Sequence, residues 1–172
     1  LLHWNGDVTN LPVKWHVDYL RDLYRDNRLV LPDSLRADGT PIDLSRIETP
    51  CYIQAGREDH ISPPESVWKL TRYLKGPWTY LLAGSGHIAG VVNPPAAKKY
   101  QYWTDGKSAT SHTDWLKTAT EHPGSWWPLW SDWLKSRSGE DVPPPNPAIG
   151  AKPAPGSYVL ETITTIRNKR GA

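Results

Sequence analysis

Two short stretches of this sequence carry side chains able to move protons. "REDH" (57–60) sets Asp59 among three other ionisable groups, directly after the apolar run "CYIQAG" (51–56). "GSGHIAG" (84–90) sets His87 among glycines, at the end of a second apolar run, "WTYLLAG" (78–84). A carboxylate can hold an imidazole in one tautomer while the other ring nitrogen takes a proton from a nucleophile. The glycines around His87 permit a tight loop and the close approach of another group. What the pair lacks is a nucleophile. No G-x-S-x-G or G-x-C-x-G string occurs, and Ser85 and Ser125 do not sit on strand-to-helix elbows. Cys51 opens its apolar run, at the opposite end from Asp59, and reads as a small buried hydrophobe. Arg57, Glu58 and His60 read as loop or surface neighbours of Asp59. A metal site from Glu58, Asp59, His60 and His87 is not expected, because adjacent loop residues lack ligand spacing.

The elements that would position this chemistry follow from the pattern of apolar residues. "CYIQAG" and "WTYLLAG" are β-rich runs bounded by turn signals, and the first is expected to be buried on both faces. Between them, Pro63 and Pro64 suit the first turn of a helix, "ESVWKLTRYL" continues it, and Gly76-Pro77 ends it. Strand, helix, strand is a right-handed crossover between parallel strands, so an α/β fold is expected. Ligands and catalytic groups in such sheets gather at the carboxyl ends of the strands, where Asp59 and His87 both fall. Acid after one strand and histidine after the next is the downstream half of the triad order of α/β hydrolases. Upstream, Trp15, Tyr19, Leu20, Leu23 and Tyr24 recur at helical spacing. Downstream, Ser125 can cap a helix whose Trp126, Trp127, Trp130 and Trp133 form a face meant for burial. Residues 139–156 read as a Pro-rich, extended linker, followed by a mobile tail. The expected division is 1–138, the C-terminal part of a catalytic domain, and 139–172, linker and tail.

Composition excludes several classes. Lys plus Arg number 20 against 18 Asp plus Glu, a net charge of +2 with both signs interspersed, so there is no footprint for nucleic acid or an anionic membrane. One Cys excludes an internal disulfide and a thiolate zinc site and fits a reducing, cytoplasmic setting. No apolar run approaches the roughly 20 residues of a membrane span. Met and Phe are absent and the chain opens at Leu1 inside sequence that already looks folded, so a piece of a longer polypeptide is expected, with further strands upstream.

At these residues the chain resembles the polyhydroxyalkanoate synthases of class I, which make poly-3-hydroxybutyrate. The matching strings run nearly end to end: "LLHWNGDVTNLP" (1–12), "IDLSRIETPCYIQAGREDHISP" (42–63), "LLAGSGHIAGVVNPP" (81–95), "YWT" (102–104), "EHPGSWWPLWSDWL" (121–134) and "PAPGSYV" (153–159). The resemblance implies an α/β-hydrolase core, a parallel sheet flanked by helices, with a cap whose end falls in residues 1–30 and rejoins the core near "WNGD". It implies a Cys nucleophile in an upstream G-x-C-x-G box, with His87 as its base. Asp59 then either assists His87 or activates the 3-hydroxyl of the substrate. The implied substrate is (R)-3-hydroxyacyl-CoA and the product a polyester, so coenzyme A belongs to the substrate and no separate cofactor is expected. The implied setting is the cytoplasm, at polyhydroxyalkanoate granules and their surface proteins, as a homodimer. Without a nucleophile box these 172 residues alone are expected to be inactive. Two other readings stay open on the residues: a generic, esterase-like α/β hydrolase, and a non-catalytic fragment that binds a granule through its Trp-rich helix.

Overall fold

The computed structural model describes residues 10–107 and 109–145, with residues 6, 156 and 162 besides. The expectations for "WNGD", most of the linker and the tail lie outside the described residues. The chain divides into two compact units, Leu1–Arg137 and Ser138–Ala172. In the second, residues 138–145 form neither helix nor strand.

The first unit begins with α1 (Val13–Tyr19), which widens into a π-helical turn over Leu20–Arg25. Charges bind its flank together, with Arg21 on Asp18 and Asp22 and Arg28 on Asp22. The expected helix is present, but its aromatic side is largely open: Trp15 is 52% and Tyr24 72% exposed. Instead of entering a core, Trp15 stacks flat on Tyr19 at 5.2 Å, and the Tyr19 and Tyr24 hydroxyls meet at 3.1 Å. A small hairpin follows, β1 (Leu35–Ala37) and β2 (Thr40–Ile42), turned by Asp38 and Gly39, both at positive φ. Asp-Gly is the dipeptide that accepts this two-residue turn without strain at the second position.

The main sheet is built on β3 (Cys51–Gly56) and β4 (Trp78–Ala83), which pair in parallel from Cys51 opposite Trp78 to Gly56 opposite Ala83. Between them α2 (Pro64–Trp68) runs on as a 3-10 turn over Lys69–Arg72, so the crossover expected from the sequence is there. Two more strands extend the sheet: β5 (Gln101–Thr104) lies antiparallel to β4, and β6 (Thr120–Pro123) antiparallel to β5. The spatial order is β3-β4-β5-β6, so the sheet is mixed and not parallel as expected. "QYWT" and "TEHP" are too short and too polar to announce themselves as strands. They form because β4 offers β5 an edge, and β5 in turn offers one to β6.

Helices cover both faces. On one, α2 and α3 (His112–Thr118) bury Ile53, Ala55, Tyr80, Leu82 and Trp103 under Trp68 and Trp115. The rings meet edge to face, Tyr80 on Trp68 at 4.9 Å and on Trp115 at 4.8 Å, the preferred arrangement of their quadrupoles. On the other face, α4 (Trp127–Lys135) brings Trp126 over Leu81 and Ala83, flanked by Tyr52 and Tyr102. The expected four-tryptophan buried face is narrower than its spacing implied. Trp126 is 8% exposed, but Trp130 is 41% exposed and touches Trp126 edge-on. Ser125 does not head the helix; its hydroxyl still accepts the Trp127 N–H at 3.2 Å. Nor is β3 fully buried: Ile53 and Ala55 are, while Tyr52 and Gln54 on its other side are half-buried.

Candidate active site

Strand β3 ends at Gly56, where the close approach of the next loop leaves no room for a side chain. A Cβ on Gly56 would lie 3.0 Å from the Ser85 carbonyl and 3.2 Å from the Asp59 Cβ. The loop after β3 is tied to the loop after β4 by backbone alone: Arg57 N–H donates to Ala83 O at 2.8 Å, and Glu58 N–H to Ser85 O at 3.0 Å. Ser85 holds a φ of 149°, a region that side chains rarely adopt. Two strand ends in register, laced by these bonds, bring the two loops within side-chain reach.

Asp59 and His87 meet there. Asp59 Oδ2 lies 2.8 Å from His87 Nδ1, while Asp59 Oδ1 accepts the Ile61 and Ser62 N–H groups, each at 2.9 Å. Burial alone would raise the Asp59 carboxyl. The Ser62 N–H, the His87 imidazole and the Ile61 N–H outweigh it and hold the group below its ordinary value. An ionised carboxylate can only accept, so Nδ1 of a neutral His87 carries the hydrogen and Nε2 carries the lone pair. The side chain of Asp59 is 8% exposed and that of His87 47%, so the acid is enclosed and the base is reachable. Both line a cavity of about 300 Å³, shared with Gln54, Ser62, Val67 and Val91.

The other residues of "REDH" separate from this pair. Arg57 lays its guanidinium over the Trp103 ring, 4.8 Å from the centroid, and Glu58 and His60 are exposed. Cys51 is half-buried, its thiol donating to Thr49 O at 3.3 Å. It stands at the start of β3, roughly 17 Å from the strand end by strand rise alone, which removes it as a partner for His87. Among the described residues no group of three His, Cys, Asp or Glu is placed to hold a metal ion. Sequence reasoning missed Gln54, whose amide nitrogen is buried without a hydrogen-bond partner beside the cavity. A Gln inside an otherwise apolar strand was the signal available.

The helix-covered sheet thus holds a hydrogen-bonded carboxylate–imidazole pair at adjacent strand ends, an arrangement with the chemistry to move a proton. Its relatives are more specific. The chain is 44% identical over 164 residues to the poly(3-hydroxyalkanoate) polymerase subunit PhaC of Cupriavidus necator, which covers 92% of this chain and 28% of that protein. It is 44% identical over 165 residues to the corresponding subunit of Rhizobium etli, 94% of this chain and 26% of the relative. It is also 44% identical over 164 residues to the poly(3-hydroxyalkanoate) polymerase of Methylorubrum extorquens, 92% of this chain and 27% of the relative. No protein-family model matches the chain. Over nine-tenths of its length the chain is a homologue of the poly(3-hydroxyalkanoate) polymerases, and it spans little more than a quarter of their length.

Proposed function

We propose that the chain is the C-terminal part of the catalytic domain of a class I polyhydroxyalkanoate synthase with an α/β-hydrolase core. In that enzyme it supplies the acid and the base that polymerise (R)-3-hydroxyacyl-CoA. The observation that carries this reading is the 2.8 Å bond from His87 Nδ1 to Asp59 Oδ2 at the ends of adjacent parallel strands, in a homologue of named polymerases. The nucleophile is a cysteine in an upstream G-x-C-x-G box, on a strand that continues the sheet beyond β3.

The chemistry follows from the protonation states. His87 Nε2 takes the thiol proton, and the thiolate adds to the thioester carbonyl of the substrate. The bond to the coenzyme A sulfur breaks, that sulfur leaves with the proton from His87, and the acyl group stays on cysteine as a thioester. A 3-hydroxyl then attacks the acyl thioester on cysteine, its proton passing to Nε2; the carbon–sulfur bond to cysteine breaks, the cysteine sulfur takes that proton back, and the new ester bond extends the chain. Both Asp59 oxygens are already engaged, Oδ2 by His87 and Oδ1 by two backbone N–H groups, which favours Asp59 as the group that orients His87 and steadies its imidazolium. Coenzyme A enters as part of the substrate and no further cofactor is required. The growing polyester, granules with their surface proteins in the cytoplasm, and a second copy in a homodimer are the partners this reading carries. Among the described residues no helix is long and apolar enough to cross a membrane.

The 172 residues expressed alone should release no coenzyme A from 3-hydroxybutyryl-CoA beyond a His87→Ala control. Thiol release well above that control would overturn the assignment of the nucleophile to another segment.

A further inference from the structure

The loop that carries His87 is held from outside by side chains that no step of the reaction uses. Loop 84–93 folds on itself through Gly90 N–H to Gly86 O and Val92 N–H to Ile88 O, both at 2.8 Å. It leaves the carbonyls of Gly90 and Val91 facing α4. Trp126 Nε1–H donates to Gly90 O at 2.8 Å, and Trp127 Nε1–H donates to Val91 O at 2.9 Å. Successive residues within a helix do not share a face, but Trp126 is the residue that precedes α4, so the pair can reach the same loop from the helix start. The loop itself is tightly wound: a Cβ on Gly90 would stand 2.8 Å from Gly86 O. It also continues directly into the cavity, because Val91 lines it together with Asp59 and His87. His87 itself is nearly half exposed, and its one side-chain hydrogen bond among the described residues is that to Asp59, so its ring sits where the backbone puts it.

We propose that Trp126 and Trp127 are positioning residues for His87. Their two indole N–H groups clamp the loop so that Nδ1 stays on Asp59 and Nε2 stays turned to the nucleophile. The inference rests on the catalytic role proposed for His87. A packing role needs only the aromatic rings, whereas a clamp needs the N–H groups, and the two are separable by chemistry.

The test uses the complete polymerase that contains this chain. Trp127→Phe removes one donor. Replacing Trp126 with β-(benzothienyl)alanine, in which sulfur stands for the N–H, removes the other at nearly constant volume. With both donors gone, kcat for coenzyme A release should fall about 10-fold or more, with KM and the melting temperature unchanged, since small misplacement of a reacting group is costly to the chemical step. In an Asp59→Asn background the same two replacements should cost under about 2-fold, because the geometry they protect is already lost. Wild-type kcat after donor removal, equal losses in both backgrounds, or a loss that follows a lowered melting temperature would each overturn the clamp. His87→Ala separates the two claims. If it is inactive while the donor-free protein works normally, only the clamp fails; if it stays active, the role of His87 fails first.

Discussion

Asp59 is acceptor to three groups at once, and that explains how a carboxylate can sit 8% exposed at a strand end. Two backbone N–H groups and an imidazole replace the water it loses on burial. The glycine before it is equally specific. Gly56→Ala puts a methyl group 3.0 Å from the Ser85 carbonyl, a backbone atom that cannot swing aside. Overpacking of this kind costs about 1–3 kcal/mol. The variant should melt earlier than wild type, and in a complete polymerase it should lose turnover by parting Asp59 from His87. Thermal melting and coenzyme A release check the two halves, and unchanged values in both would contradict the geometry. At this scale the meeting of Asp59 and His87 was legible, because charge and glycine at the ends of apolar runs are unusual enough to need a reason. Gln54 and the tie from Glu58 N–H to Ser85 O were not, since one is a polar residue in a β-rich string and the other a backbone bond that no side chain encodes.

The elements divide along the same line. Strands β3 and β4 and the crossover helix α2 carry their own apolar runs and prolines, and their positions could be read directly. The hairpin β1-β2, helix α3 and strands β5 and β6 could not, although Asp38-Gly39 and the Ser111 cap on the Asp114 N–H were local signals for two of them. Strands β5 and β6 depend on neighbours far off in sequence, which a local pattern does not contain. Helix α3 also brings a titratable group into the aromatic core. His112 is 6% exposed among Trp68, Tyr80 and Trp115, and its Nε2 has no hydrogen-bond partner among the described residues. Burial lowers its pKa, and Glu65, 3.7 Å from Nδ1, only partly opposes that. The unfolded chain therefore binds this proton more readily than the folded one, so stability should fall as pH drops below the ordinary histidine range, about 6.5. Urea unfolding at neutral pH and near pH 5 should show that loss in wild type and a smaller one in His112→Phe. Equal losses in both would show that His112 does not contribute.

Across the whole molecule, the first unit presents an Asp59–His87 pair whose imidazole is open to solvent, with Cys51 at the opposite end of the strand that leads to Asp59. The chain is similar to polymerases over nine-tenths of its length and spans little more than a quarter of theirs. The expected parallel pair β3-β4 is present, and the described sheet is mixed beyond it because β4 has a second edge that the chain returns to fill from the opposite direction. The central claim is that His87, oriented by Asp59, is the base for a cysteine thiol contributed elsewhere in the polymerase. It is tested most directly by the rate of coenzyme A release from 3-hydroxybutyryl-CoA by a complete polymerase containing this chain, measured for wild type and His87→Ala side by side. A fall of about 1,000-fold or more is expected from loss of the base; a variant that works within about 10-fold of wild type would contradict the account.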